Sequence, residues 1–219
     1  MARLVIFGAG DIARLAHFYF TRDSEHSVEA FAVDRAFRRT DSFEQLPLVD
    51  FEDVTSKFPP SSHGMFIAVS YANMNRLRAE KYAQAKAMGY TLVSYISSRC
   101  TWLTEQPPGD NCFVLEDNTI QPFVKIGNDV TLWSGNHIGH DAVIDDHCFI
   151  SSHVVVSGRV HVGAYCFLGV NSTIRNAVTI APETLVGAGA VIMADTKPKS
   201  VYVPERTAVF PRPSDKVKI

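Results

Sequence analysis

From Val114 to Ile192 every sixth residue is aliphatic: Val114, Ile120, Ile126, Leu132, Ile138, Ile144, Ile150, Val156, Val162, Leu168, Ile174, Ile180, Val186 and Ile192. Aliphatics make up about a quarter of an ordinary chain, so an unbroken series of this length does not arise by chance. A six-residue period fits neither the helical repeat nor the two-residue repeat of an ordinary strand. It fits a coil of short parallel strands, one hexad per strand and three hexads per turn, with the aliphatic side chain inward. The residue four further on is mostly small or β-branched, as at Val130, Ala142, Cys148, Val154, Cys166 and Ser172. Gly follows the aliphatic at Ile126, Ile138, Val162, Leu168 and Val186, where it is expected to relieve the backbone at a corner. The expectation is a left-handed parallel β-helix. Residues eighteen apart then stack about 4.8 Å from one another. Cys148 and Cys166 form such a pair, read as packed apolar thiols rather than a redox couple.

Residues 1–96 follow another rule. Arg3 to Phe7 is a buried-strand run, and Gly8-Ala9-Gly10-Asp11-Ile12-Ala13 follows it into an amphipathic stretch through Phe20. Further strands are expected at Val28–Val33, Met65–Val69 and Thr91–Ile96, with a helix over Asn75–Met88. Alternating β and α predicts a small α/β half-Rossmann domain with a parallel sheet. Gly-x-Gly-x-x-Ala between strand and helix brings amides and a helix N-terminus to a phosphate. Asp34 stands where a ribose-binding acid belongs. A glycine turn required only by tight packing is the competing reading. There is room for one mononucleotide-binding half, which suits a ligand of nucleoside-diphosphate size. Pro107-Pro108-Gly109-Asp110-Asn111 breaks both patterns. The expected division is a front domain at 1–96, a linker at 97–112, the coil at 113–195 and a C-terminal tail at 196–219.

The net charge of −2 gives no bulk electrostatic pull toward nucleic acid or a membrane surface. No apolar run approaches the ~20 residues of a membrane span. The apolar opening from Met1 could pass for a short leader, but Asp11 and Arg14 interrupt it. The expectation is a cytoplasmic protein. Cys100, Cys112, Cys148 and Cys166 show no zinc-type spacing. Five histidines fall within the coil, at 137, 140, 147, 153 and 161. No two are five or eighteen apart, which argues against a zinc site of the γ-carbonic-anhydrase kind. No metal is expected. Acyl transfer to an amine or hydroxyl needs a general base, and histidine suits that role near neutral pH. His140 is followed by Asp141, a carboxylate able to fix its tautomer, provided the pair sits at a corner or is completed by a neighbouring subunit.

A Gly-x-Gly-x-x-Ala front domain, then Asn136-His137-Ile138-Gly139-His140-Asp141, then Phe167-Leu168-Gly169-Val170-Asn171, resembles the sialic acid O-acetyltransferase family of sugar O-acyltransferases. That family includes bacterial nucleotide-amino-sugar N-acetyltransferases. The resemblance implies an acetyl-CoA-dependent acetyltransferase acting on the amino group of a nucleotide-linked dideoxy sugar in polysaccharide biosynthesis. It implies a homotrimer with active sites between subunits. His140 falls on the family's base and Asp141 on its acidic partner. Gly8, Gly10, Asp11, Asp34, Arg35, Val69, Ser70, Tyr71 and Asn136 would meet the nucleotide sugar. Gly169, Gly187 and Ala188 would line the groove for acetyl-CoA. Tyr202-Val203-Pro204-Glu205-Arg206 departs from the family's Gly-x-Pro-Ala-Lys ending, and Ser151-Ser152-His153 replaces a smaller stretch. Lys197, Lys199 and Arg206 are candidates for the CoA phosphates, or a solvated tail. The alternatives are O-acetylation of a sugar of the sialic-acid type, and a non-catalytic trimeric module that binds nucleotide sugars.

Overall fold

A computed structural model describes residues 2–217; Met1, which opens the segment weighed above as a leader, and the last two residues of the predicted tail lie outside the described residues. The front domain contains β1 (Arg3–Phe7), α1 (Asp11–Arg22), β2 (Ser27–Val33), β3 (Ser42–Phe43), β4 (Leu46–Asp50), α2 (Val54–Lys57), β5 (His63–Ile67) and α3 (Arg76–Ala87). Its sheet has the order β3-β4-β2-β1-β5, parallel except for the β3–β4 hairpin. The apolar centres of β1, β2 and β5 are buried because helices and loops cover both faces. The hairpin was not expected from the sequence. It turns through Glu44 and Gln45, both with positive φ (48° and 65°), and lacks the Asn-Gly pair that advertises such a turn.

The rest of the chain coils into three parallel sheets of seven, six and four rungs, a left-handed parallel β-helix. Each rung pairs with the residue eighteen further on, as in Phe149 with Phe167 and His137 with Val155, except the last, where Leu185 pairs with Val201. All fourteen aliphatics of the series are buried in one continuous core. Each contributes on the order of 1.5–3 kcal/mol.

The coil begins earlier than the sequence suggested. Tyr95–Ile96 pairs with Phe113–Val114, and Thr101–Trp102 with Thr119–Ile120, so regular pairing runs through the stretch expected as a linker. Pro107 has no N–H to give the ladder, which hid this turn. The Gly109 N–H nevertheless reaches the Ile126 carbonyl at 3.1 Å. At the other end Val201–Tyr202 adds a rung beyond residue 195.

The corners also differ from expectation. Every sixth residue from Asn111 to Glu183 is left-handed, for example Asp129 (φ 55°), Asp141 (58°), His153 (59°) and Tyr165 (62°). The glycines after the aliphatics do not occupy these positions. They stand where the next turn passes too closely: a Cβ at Gly139 would lie 2.5 Å from the Gly158 nitrogen, and one at Gly169 2.6 Å from the Ala188 nitrogen.

The seven-rung face seats the front domain. Tyr95, Phe113 and Leu115 of the coil share one apolar cluster with Leu4, Phe20 and Phe66. Beside it lies a buried polar strap. Arg78 Nε donates to Asp129 Oδ1 (3.0 Å), and its Nη2 donates to the carbonyls of Asp129 (3.0 Å) and Cys148 (3.1 Å). Asn111 joins β5 to the same carboxylate, accepting from Ile67 N (2.7 Å) and donating to Asp129 Oδ1 (2.8 Å).

Candidate active site

His140 and Asp141 fall at a corner of the coil, the circumstance under which adjacent residues can meet. Asp141 adopts the left-handed conformation there, which aspartate tolerates. That bend turns its carboxylate back, so His140 Nδ1–H donates to Asp141 Oδ2 at 2.7 Å. With Nδ1 committed as donor, Nε2 carries the free lone pair. The ring lies over Gly158: a Cβ at Gly158 would be 2.6 Å from His140 Nε2, so only glycine leaves the imidazole its place. The backbone N–H of His140 donates to Gln121 Oε1 at 2.8 Å, a brace from the preceding turn that sequence reasoning missed. Both side chains of the pair are about half-exposed.

At the carboxyl ends of β1 and β5 a cleft of about 410 Å³ is lined by Gly10, Asp11, Ala68, Ser70, Tyr71 and Trp133 among others. A Cβ at Gly10 would meet nothing within 4 Å, so the N-terminus of α1 is open to a ligand. Gly8 is required by packing instead: its φ is 128°, and a Cβ would lie 2.7 Å from the Ala68 carbonyl oxygen. Asn73, Met74 and Asn75 are left-handed in succession, and the loop they end holds Tyr71 against Phe149 (5.0 Å between ring centres) and Phe167 (4.8 Å). Val69 packs against the sheet core.

Other expected contacts are already engaged within the protein. Asp34 Oδ1 accepts from Lys81 Nζ at 2.6 Å. Arg35 is paired with Asp50 (3.1 Å) and Asp53 (2.7 Å). Asn136, expected to touch substrate, is buried: its Oδ1 accepts from Val154 N (2.7 Å) and its amide donates to the Trp133 carbonyl. The hexad phase explains this, since Asn136 stands four residues after Leu132, in the same inward series as Val130 and Ala142. Asn136 braces a corner and presents nothing to solvent.

Gly169, Gly187 and Ala188 lie on the edge where the chain leaves the seven-rung face. The N–H groups of Gly169 and Gly187 are spent on the carbonyls of Val186 and Tyr202, both at 2.7 Å; that of Ala188 makes no bond to another described residue. His153 is an exposed corner residue whose ring covers Gly135. Lys199 Nζ lies 3.9 Å from Glu183, and residues 203–217 are exposed. Among the described residues no group of three or more His, Cys, Asp or Glu could hold a metal, and no helix is long and apolar enough to cross a membrane. Cys148 and Cys166 are both buried, with burial pushing the Cys148 thiol well up.

The placement of these parts has a consequence. The cleft at Gly10 and the Gly169–Gly187 edge lie along one edge of the coil. His140 lies on a different one, where the chain leaves the six-rung face. On one chain the two therefore face in different directions.

Residues 123–158 match the family described as bacterial transferase hexapeptide (six repeats). The acyl-[acyl-carrier-protein]–UDP-N-acetylglucosamine O-acyltransferase of Stutzerimonas stutzeri strain A1501 is 30% identical over 90 residues, 41% of this chain and 32% of that protein. The chain thus spans about a third of the length of this curated relative. The acetyltransferase domain of PglB from Neisseria gonorrhoeae FA1090 superposes with a TM-score of 0.81 at 21% identity, over 92% of this chain and 96% of that one. A histidine variant of perosamine N-acetyltransferase from Caulobacter crescentus, in complex with CoA and GDP-perosamine, superposes with a TM-score of 0.80 at 24% identity, over 92% and 93%. These likenesses establish the two-part fold.

Proposed function

We propose that this protein is an acetyl-CoA-dependent N-acetyltransferase that acts on the amino group of a nucleotide-linked dideoxy sugar. The observation that carries the reading is the His140–Asp141 pair at 2.7 Å with Nε2 left free, on a scaffold that also presents an open helix N-terminus to a phosphate. The similar solved structures are those of a perosamine N-acetyltransferase with CoA and GDP-perosamine and of a PglB acetyltransferase domain with acetyl-CoA, which supports the same choice of substrates here.

In this reading the nucleotide's phosphates lie at Gly10 and Asp11, with Ser70 and Tyr71 on the opposite wall. Acetyl-CoA runs along the Gly169–Gly187 edge, where the unengaged Ala188 N–H is the available donor. The sugar amine attacks the thioester carbonyl carbon. As the C–N bond forms, His140 Nε2 takes the amine proton, and Asp141 stabilises the imidazolium. Backbone N–H groups hold the oxyanion. The C–S bond then breaks, and the imidazolium returns its proton to the CoA thiolate. No cysteine is exposed at the site to carry the acetyl group, so transfer is direct, within a ternary complex.

Since one chain places His140 and the cleft on different edges, a homotrimer would complete each site, with His140 of one protomer facing the cleft of its partner. His140→Ala is expected to lower kcat by roughly 10²–10⁴-fold with folding unchanged. The assay supplies acetyl-CoA and a panel of UDP-, GDP-, dTDP- and CMP-linked amino sugars and follows release of free CoA thiol. Near wild-type turnover by the variant would remove the base assignment. Transfer only to sugar hydroxyls would support the O-acetyltransferase alternative, and tight binding of a nucleotide sugar without CoA release would support the binding module.

A further inference from the structure

One turn before His140, at the same place on the edge, stands Pro122, and Gln121 precedes it. Proline gives no N–H of its own and biases the residue before it toward extended backbone. The Gln121 N–H donates to the Ile138 carbonyl at 3.0 Å, which ties it to the turn that carries His140. Its half-buried side chain then reaches the corner, where Oε1 accepts from the His140 N–H at 2.8 Å. The Pro122 carbonyl accepts from the Asp141 N–H at 3.2 Å. From the following turn, the Arg159 N–H donates to the His140 carbonyl at 2.8 Å. The peptides on both sides of His140 are therefore held by neighbouring turns.

The coil itself does not require the Gln121 bond. Gly158 and Asn176 occupy the place of His140 one and two turns further on. Their N–H groups make no hydrogen bond to another described residue. The corners there form all the same: Arg159 (φ 59°) and Ala177 (58°) adopt the left-handed conformation of Asp141. Among these equivalent corners, the extra bond falls at the one that carries an imidazole. A half-exposed ring has little packing to fix it, so its position depends on the backbone it hangs from and on Asp141. Displacing a catalytic group by about 1 Å can cost on the order of 100-fold in rate.

We propose that Gln121 is a positioning residue, which holds the backbone of His140 so that Nε2 meets the attacking amine. The proposal rests on the reading of His140 as the base. Gln121 touches neither donor nor acceptor substrate in this role. Its acceptor oxygen pins the His140 peptide from one side, while Asp141 fixes the tautomer from the other.

The test is a set of variants at residue 121, assayed for kcat, KM and Tm with acetyl-CoA and the accepted amino-sugar nucleotide. Gln121→Leu removes the acceptor and is expected to lower kcat about tenfold, with both KM values within about twofold of wild type. Gln121→Asn is one methylene too short to reach and should behave as Gln121→Leu does. Gln121→Glu keeps an acceptor and should recover most of kcat at alkaline pH. Its added negative charge favours the imidazolium, so the acid limb of the kcat profile should move to higher pH. In a His140→Ala background, Gln121→Leu should have no further effect, because no ring is left to place. Tm should be unchanged throughout, since water replaces the lost acceptor at a half-exposed corner. Wild-type kcat in Gln121→Leu would overturn the proposal. So would a fall in kcat that tracks a fall in Tm without rescue by Gln121→Glu, which would mark a structural role. A raised KM with kcat intact would make Gln121 a substrate contact and overturn it too. Near wild-type turnover by His140→Ala would instead remove the base assignment, and this role with it.

Discussion

Asp141 holds two positions at once: a corner of the coil and the partner of His140. Its backbone φ of 58° admits asparagine but penalises a β-branched side chain. Asp141→Asn is therefore expected to keep stability within ~0.5 kcal/mol while lowering kcat, by less than His140→Ala does. Asp141→Val should cost about 1–3 kcal/mol as well. Thermal melts beside steady-state rates separate the two effects, and equal melts for both variants would show that the corner conformation matters little. Sequence alone brings His140 and Asp141 together as neighbours but cannot supply the bend that lets them bond. The misreading of Asn136 is different in kind. Its phase in the hexad already places it inward, and the motif around His140 drew attention away from that phase.

At the scale of elements, period is a strong signal and pairing a weak one. The fourteen aliphatics announce the coil, yet its first turn carries Tyr95–Ile96 and Thr101–Trp102 and then Pro107, so neither the hexad series nor the ladder is complete there. The glycines were read as corner residues because glycine is the usual occupant of left-handed backbone. Here Asp, Asn, His, Arg and Tyr hold those corners, and the glycines answer to the closeness of successive turns. Gly163→Ala tests this far from His140: its Cβ would lie 2.7 Å from the Pro182 nitrogen. A loss of about 1–3 kcal/mol is expected from the overpacking, read as a lowered Tm with the activity of the folded fraction retained. An unchanged Tm would show that the next turn yields to a methyl there and that closeness does not require the glycine.

For the molecule as a whole, the join between front domain and coil decides stability. Arg78 and Asp129 are both buried, so Arg78→Ala leaves the carboxylate with only Asn111 and His147 as partners and should cost roughly 3 kcal/mol. Chemical denaturation should show the two parts unfolding together, and a separate early transition of the front domain would contradict the shared core. A second join titrates. Asp23 ends α1 and accepts from Tyr95 (2.6 Å) and from the Ser98 N–H (2.9 Å) of the coil's first turn. Partial burial pushes its carboxyl up, but the hydrogen bonds from Ser98, Tyr95 and Ser97 outweigh this and hold it below the ordinary range. Its folded value lies under its unfolded one, so its contribution is present above the usual carboxylate pKa and fades as pH falls through the folded value. Asp23→Asn should flatten the acid limb of the stability curve, and a curve of unchanged shape would show that other carboxylates dominate it.

The eighteen-residue pairing of the rungs has a bearing on how such a chain can change in length. Losing one residue inside a rung rotates everything beyond it out of phase, turning Ile to the outside and the acids to the core. Losing eighteen moves each strand onto an equivalent neighbour. Gene-level insertions and deletions are therefore tolerated in two forms: whole turns, or loops that leave and re-enter at a left-handed corner. The coil is extensible in fixed increments, and the distance between the front domain and the far end of the coil can be reset only in steps of about 4.8 Å.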